Sequence, residues 1–158
     1  MDIEQIEQQL RQIIENQHPG VFVVDIQLKE GKATTLLIKV DTDQGISLDQ
    51  CARISRALGA ELEENEWIDV AYRLEVSSPG VGYPLKLHRQ YLQNIGRKLR
   101  IIQTDLTEVR GKLGEVTETS LTLEPFQTKG PKKKQQRSTF REPITIDFST
   151  IREATVFI

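Results

Sequence analysis

Ile3, Ile6, Leu10, Ile13 and Ile14 recur at spacings of three and four, so residues 2–17 read as an amphipathic helix with one apolar stripe. His18-Pro19-Gly20 ends it. The period then drops to two. Phe22, Val24, Ile26 and Leu28 line one face of a strand, and Thr34, Leu36, Ile38 and Val40 line a second across a turn at Glu30-Gly31, which predicts an antiparallel hairpin. Helical spacing returns after Ser47, an N-cap completed three residues on by Gln50 into a capping box, with Ile46 and Cys51 at the two positions of a hydrophobic staple. Cys51, Ile54, Leu58 and Leu62 repeat on one face, and Asp49 and Arg53 form an i,i+4 pair. Tyr72, Leu74 and Val76 alternate with Arg73, Glu75 and Ser77 in a third strand. The order αββαβ over residues 1–84 predicts an α+β domain, a small sheet carrying two helices.

Ser77-Ser78-Pro79-Gly80 stops the third strand, because Pro79 has no N–H to donate and Gly80 tolerates a positive φ. Gly82-Tyr83-Pro84 follows, and a domain boundary is expected between Pro84 and Leu85. Leu85 to Leu92 reads as a short helix closed by Gly96. Strand patterns then occupy Arg97–Gln103, Val109–Thr117 and Ser120–Glu124; Ile144, Ile146 and Phe148 alternate in a fourth, and Ala154, Val156 and Ile158 in a fifth. A single helical turn at Ser149-Thr150-Ile151 precedes the last. Short strands so closely spaced predict a small closed β-barrel over residues 85–158.

Composition narrows the class. The 158 residues are 28% charged and 37% hydrophobic, ordinary for a globular protein. No apolar run approaches the roughly 20 residues that span a bilayer, and MDIEQIEQQL is unlike a signal peptide. The lone Cys51 excludes an internal disulfide and fits a reducing, cytoplasmic setting. The formal net charge of −2 hides a division: residues 1–86 hold 8 Lys/Arg against 15 Asp/Glu, and residues 87–158 hold 13 against 8. A −7 half and a +5 half point to two surfaces with different partners.

Catalytic chemistry finds little support. Ser77 and Ser78 are hydroxyls in a turn, the only histidines are His18 and His88, and no strand–Gly-x-Ser-x-Gly–helix elbow occurs. Asp41-Thr42-Asp43-Gln44-Gly45 resembles a calcium loop only superficially, since Gly45 comes one position early and Ala52 stands where a bidentate Glu is required. Cys51 lies on an apolar helix face, as a structural thiol does. No Gly-rich phosphate cradle is present. The reading is therefore of no catalytic residue, no metal and no cofactor. One cluster stands out: Lys129, Lys132, Lys133, Lys134, Arg137 and Arg141 fall within residues 128–141 without an acidic residue. Such a run between two strands is either a solvated hairpin tip or a set of cations that lies along a phosphate backbone and releases counterions. Phe140 is placed to anchor that loop or to stack on a base.

The wording around the break is more specific than its pattern. LEVSSPGVGYPLK resembles the signature of the bacterial ribosome maturation factor RimP family, in which a strand ends in Ser-Ser-Pro-Gly and a Pro-Leu opens a second domain. DTDQGISLDQCARISRAL resembles the second hallmark of that family. The chain departs from it at Gly82-Tyr83, where the family usually carries Asp-Arg. The resemblance makes Ser77, Ser78, Pro79, Gly80 and Pro84 the linker signature and implies that the barrel is SH3-like. It implies a non-enzymatic assembly factor, monomeric, that binds immature small ribosomal subunits. Its partners would be ribosomal RNA and a basic small-subunit protein, in particular the twelfth, away from any membrane. The alternative is a general RNA-associated adaptor using the barrel as an Sm-like interaction module.

Overall fold

A computed structural model describes residues 2–127 and 138–157. The chain divides into two compact units, residues 1–79 and 80–158.

In the first unit α1 (Ile3–Gln17) is opened by a capping box: Gln5 N–H donates to Asp2 Oδ1 at 2.9 Å, and Asp2 N–H donates to Gln5 Oε1 at 3.1 Å. Its stripe buries Ile6, Leu10 and Ile14. β1 (Phe22–Lys29) pairs antiparallel with β2 (Thr34–Asp41) as the alternation predicts. The face of β1 differs from expectation, however. A bulge between Val23 and Asp25 sets two residues against one, so the core receives Val23, Ile26 and Leu28 instead of an unbroken row from Phe22. Phe22 and Val24 are buried as well but lie outside that core cluster.

α2 (Leu48–Asn65) begins at the expected cap, with Gln50 N–H donating to Ser47 Oγ at 3.1 Å and Ser47 N–H donating to Gln50 Oε1 at 2.9 Å. Cys51, Ile54, Leu58 and Leu62 are all buried, and Ile46 packs on the same core. β3 (Tyr72–Ser77) then joins β2 in parallel, with Leu36 opposite Leu74 and Ile38 opposite Val76. The sheet order is β1-β2-β3. β2 is therefore central, which is why Leu36, Ile38 and Val40 are fully buried while edge residues Tyr72, Leu74 and Val76 are half-buried.

The second unit begins with an extended lead-in pinned by Leu85 N–H to the Ala154 carbonyl at 2.8 Å. α3 (His88–Gln93) is shorter than the expected helix from Leu85. The buried Gln90 side chain accounts for this: its Oε1 accepts from the N–H groups of Lys86 at 2.8 Å and Leu87 at 2.9 Å, which holds them ahead of the first turn. Gly96, at φ 92°, turns the chain into β4 (Lys98–Gln103). β5 (Glu108–Val116), β6 (Ser120–Glu124), β7 (Ile144–Asp147) and β8 (Ile151–Phe157) complete a sheet of order β7-β6-β5-β4-β8. Leu99, Ile101, Leu113, Leu121, Leu123, Ile146, Ala154 and Val156 face one core. The predicted closure into a barrel is not found: among the described residues no ladder joins β7 to β8. The two edge strands are instead linked by a three-residue 3-10 turn, Phe148–Thr150. Among the described residues no helix is long and apolar enough to cross a membrane.

Candidate nucleic-acid interface

Of the six cations singled out in the sequence, Lys129, Lys132, Lys133, Lys134 and Arg137 lie outside the described residues, and Arg141 is exposed. The base from which their segment emerges is tightly built. Phe126 N–H donates to Ser138 Oγ at 3.2 Å, Ser138 N–H donates to the Phe126 carbonyl at 2.9 Å, and Ser138 Oγ donates to the Phe140 carbonyl at 2.8 Å. Thr139 then docks beside β5, its N–H donating to the Arg110 carbonyl at 3.3 Å and its Oγ1 accepting from Arg110 N–H at 3.3 Å. Phe140 is an anchor: its ring packs on the core over Gly111, where a Cβ would stand 2.7 Å from the ring. A cleft of about 410 Å³ lies at this base between Phe126, Phe140 and Arg141.

Next to the base, the outward face of the sheet carries cations that periodicity arguments about burial overlook. The β4–β5 register sets Lys98 directly opposite Lys112 and Arg100 directly opposite Arg110, while the intervening Leu99 and Gly111 face inward. Like charges placed opposite each other destabilise a sheet by roughly 0.2–1 kcal/mol per pair. The face meets one of these repulsions itself: Glu108 pairs with Arg100, and that hydrogen bond holds the Glu108 carboxyl below the usual carboxylate range. Arg110 and Lys112, both exposed, have no ion-pair partner among the described residues. Lys98 sits with its Nζ 5.7 Å from the Phe126 ring centre and 5.5 Å from that of Phe157, whose centres are 6.1 Å apart. The signal available in sequence was the pair of alternations Lys98-Leu99-Arg100 and Arg110-Gly111-Lys112, which identify one face once the strands are known to pair.

The linker signature is placed at the end of the first unit. Ser77 is the last residue of β3, opposite Lys39 on β2, and its Oγ accepts from Lys39 Nζ at 2.9 Å. An ammonium donor stabilises the hydroxyl and removes no proton from it. Pro79 and Gly80 fall at the division between the units, with Gly80 at φ 72° and Gly82 at φ 89°, values that favour glycine. Pro84 directly precedes the Leu85 anchor.

The Asp41–Gly45 turn closes on itself: Thr42 N–H donates to Asp41 Oδ1 at 2.8 Å and Gly45 N–H donates to the Thr42 carbonyl at 3.0 Å. Among the described residues no group of three or more His, Cys, Asp or Glu is placed to hold a metal ion. Burial pushes the Cys51 thiol up, Asp41 adds to the shift and Lys39 opposes it, so the protonated form is favoured.

Residues 3–82 match the family model of the RimP N-terminal domain. The chain is 35% identical to the ribosome maturation factor RimP of Flavobacterium psychrophilum over 143 residues, covering 90% of this chain and 88% of that protein. It is 34% identical to the protein of the same name from Cytophaga hutchinsonii, over 87% of this chain and 86% of that one. With the Chlorobium phaeobacteroides protein, also named ribosome maturation factor RimP, it shares 37% identity over 73% of this chain and 75% of its relative. These relatives span both units, and their common name is that of a ribosome maturation factor. The chain belongs to the RimP family.

Proposed function

We propose that this chain is a non-enzymatic assembly factor that binds immature small ribosomal subunits and assists their maturation. The observation that carries the reading is identity of about a third with ribosome maturation factors across nearly the whole chain. The charge division supports a sharing of labour: the acidic half receives a basic small-subunit protein, in particular the twelfth, and the basic half approaches ribosomal RNA. Lys129, Lys132, Lys133, Lys134, Arg137 and Arg141 supply phosphate contacts on this reading. Ser77, Ser78, Pro79, Gly80 and Pro84 form the linker signature, on this reading, of a chain with domains 1–84 and 85–158. The second domain is SH3-like in this proposal, a reading supported by the order β7-β6-β5-β4-β8 and by the 3-10 turn between its edge strands. The protein works in the cytoplasm as a monomer, and the reduced, buried Cys51 suits that setting.

No bond need be made or broken. A ligand that binds productive RNA and protein arrangements better than trapped ones shifts their populations by its differential affinity. Loss of the protein should therefore slow assembly and leave small-subunit precursors accumulating beside unpaired large subunits, most severely in the cold, where trapped RNA states escape slowly. Sucrose-gradient profiles of a deletion strain test this. Co-sedimentation of the protein with free small subunits and not with translating ribosomes separates an assembly factor from a general RNA-associated adaptor. Normal profiles at low temperature would overturn the assembly reading.

A further inference from the structure

Four strands stand at sheet edges: β1 and β3 in the first unit, β7 and β8 in the second. A row of unpaired N–H and C=O groups invites another chain, and proteins blunt such rows with bulges, prolines, short strands or covering segments. Three of the four edges are blunted. β1 is bulged between Val23 and Asp25, and Arg11 donates to its Val23 carbonyl at 3.3 Å. β7 has only four residues and follows Pro143. β8 is covered where Leu85 N–H donates to the Ala154 carbonyl. β3 has none of these devices. Its register on β2 runs unbroken from Tyr72 to Ser77, it holds neither lysine nor proline, and among the described residues its backbone bonds only to β2.

The side chains beside that edge define what it takes. Tyr72, Leu74 and Val76 pack against the core yet stay half-buried, so one side of the edge is an unfinished apolar row. On the other side Arg73 and Glu75, both exposed, pair with each other at 3.5 Å. Exposed carboxylates, Glu63, Glu66 and Asp69, gather in the stretch that leads into the strand, and Glu63 adds to burial in raising the Tyr72 phenol. The opposing cations are Lys32, in the turn before the Thr34–Tyr72 pair, and Lys39, which donates to Ser77 at the far end. We propose that the outer edge of β3 takes an extended segment of a partner protein as an added strand, with apolar side chains beside Leu74 and Val76, and Lys or Arg side chains beside Glu75 and at the acidic end of the strand. This deepens, and rests on, the reading that the acidic half receives a basic protein. β3 has six residues, so a segment of about that length, roughly 20 Å, covers it. RNA does not fit, because its phosphates meet carboxylates and it lacks the N–H and C=O groups that a strand edge pairs with. A second copy of the chain would bring together two halves of net charge −7.

The test uses the full chain and fluorescence anisotropy with a labelled Lys-Val-Lys-Val-Lys-Val peptide, its fully N-methylated analogue and a Glu-Val-Glu-Val-Glu-Val peptide. The first should bind at least about tenfold more tightly than either of the others, because only it offers both the backbone donors and the charge. Amide hydrogen exchange in its presence should slow along Tyr72–Ser77 and stay unchanged at β1, β7 and β8. Asp69→Asn with Glu75→Gln, both at exposed positions, should weaken the Lys-Val peptide by about fivefold. Equal affinity for the N-methylated or the Glu-Val peptide, or protection that falls outside β3, would overturn the proposal. Protection of β3 that rises with protein concentration in the absence of peptide would assign the edge to a second copy and overturn it as well. A chain that co-sediments with immature small subunits, yet shows no protection of β3 by the Lys-Val peptide, would refute this edge without touching the assembly reading. The reverse result would remove the assembly reading and leave the edge standing.

Discussion

Replacing Gly111 by Ala should destabilise the C-terminal unit, against the ordinary preference of strands for residues other than glycine. The new Cβ would stand 2.7 Å from Phe140 Cζ and 2.9 Å from Leu123 Cβ. Carbon contacts are comfortable at about 3.5–4.0 Å, so both fall inside the repulsive wall. The Phe140 ring is the far end of a side chain and can swing away, losing its packing over the sheet. Leu123 Cβ is attached to the backbone of β6 and can move only with the ladder. Overpacking of this kind costs about 1–3 kcal/mol, and the relief of glycine's extra chain entropy returns about 0.5–1 kcal/mol. The clash wins, for a net loss of about 1–2 kcal/mol. Urea unfolding followed by far-ultraviolet circular dichroism should show a midpoint lower by about 1 M, at a slope near 1 kcal/mol/M for so small a unit. Trp67, the single tryptophan, packs against the core of the other unit, so its fluorescence reports that unit separately. In a Phe140→Ala background the same substitution should cost less, because one of its two clashes is gone and Leu123 remains. A midpoint unchanged or raised by Gly111→Ala, or an equal penalty with and without Phe140, would refute the packing argument.

Ser47→Ala should lower the stability of the N-terminal unit by about 1 kcal/mol through loss of the capping box, read from the Trp67 transition, and Ser47→Asp should restore most of it. Ser77→Ala removes the acceptor for Lys39 but no catalytic group, so a deletion strain carrying it should regain normal subunit profiles at low temperature; failure would revive a chemical role for that hydroxyl. Replacing Lys132, Lys133 and Lys134 together by Gln should flatten the salt dependence of RNA binding by roughly 2 in the log–log slope, and an unchanged slope would return that run to a solvated tip. Burial pushes the Tyr91 phenol up to about 12, so the folded state keeps a proton that the unfolded chain sheds. The C-terminal unit should hold its full stability below about pH 10 and lose it progressively as pH rises toward about 12, and Tyr91→Phe should flatten that loss in alkaline urea titrations.

The local elements were legible because each is encoded over a few turns of chain. The apolar spacing in α1, the Ser47–Gln50 box of α2 and the alternations of β2 and β3 each depend on neighbours within one element, and each appears where the residues place it. The linker wording of Ser77 to Pro84 was equally readable, and with it the family. What pairing decides was not. A single bulge after Val23 brought that residue into the core ahead of Ile26 and Leu28, because one extra residue puts the alternation on its two sides out of step. The parallel alignment of β3 on β2 brought Ser77 to Lys39, 38 residues away, turning a presumed turn hydroxyl into a cross-strand acceptor. The β4–β5 register set Lys98 against Lys112, and the return of the chain at Phe140 together with Leu123 of β6 made Gly111 indispensable. Periodicity states which side of an element an amino acid occupies; which distant residue stands beside it depends on bulges, register and chain return, which no local window contains.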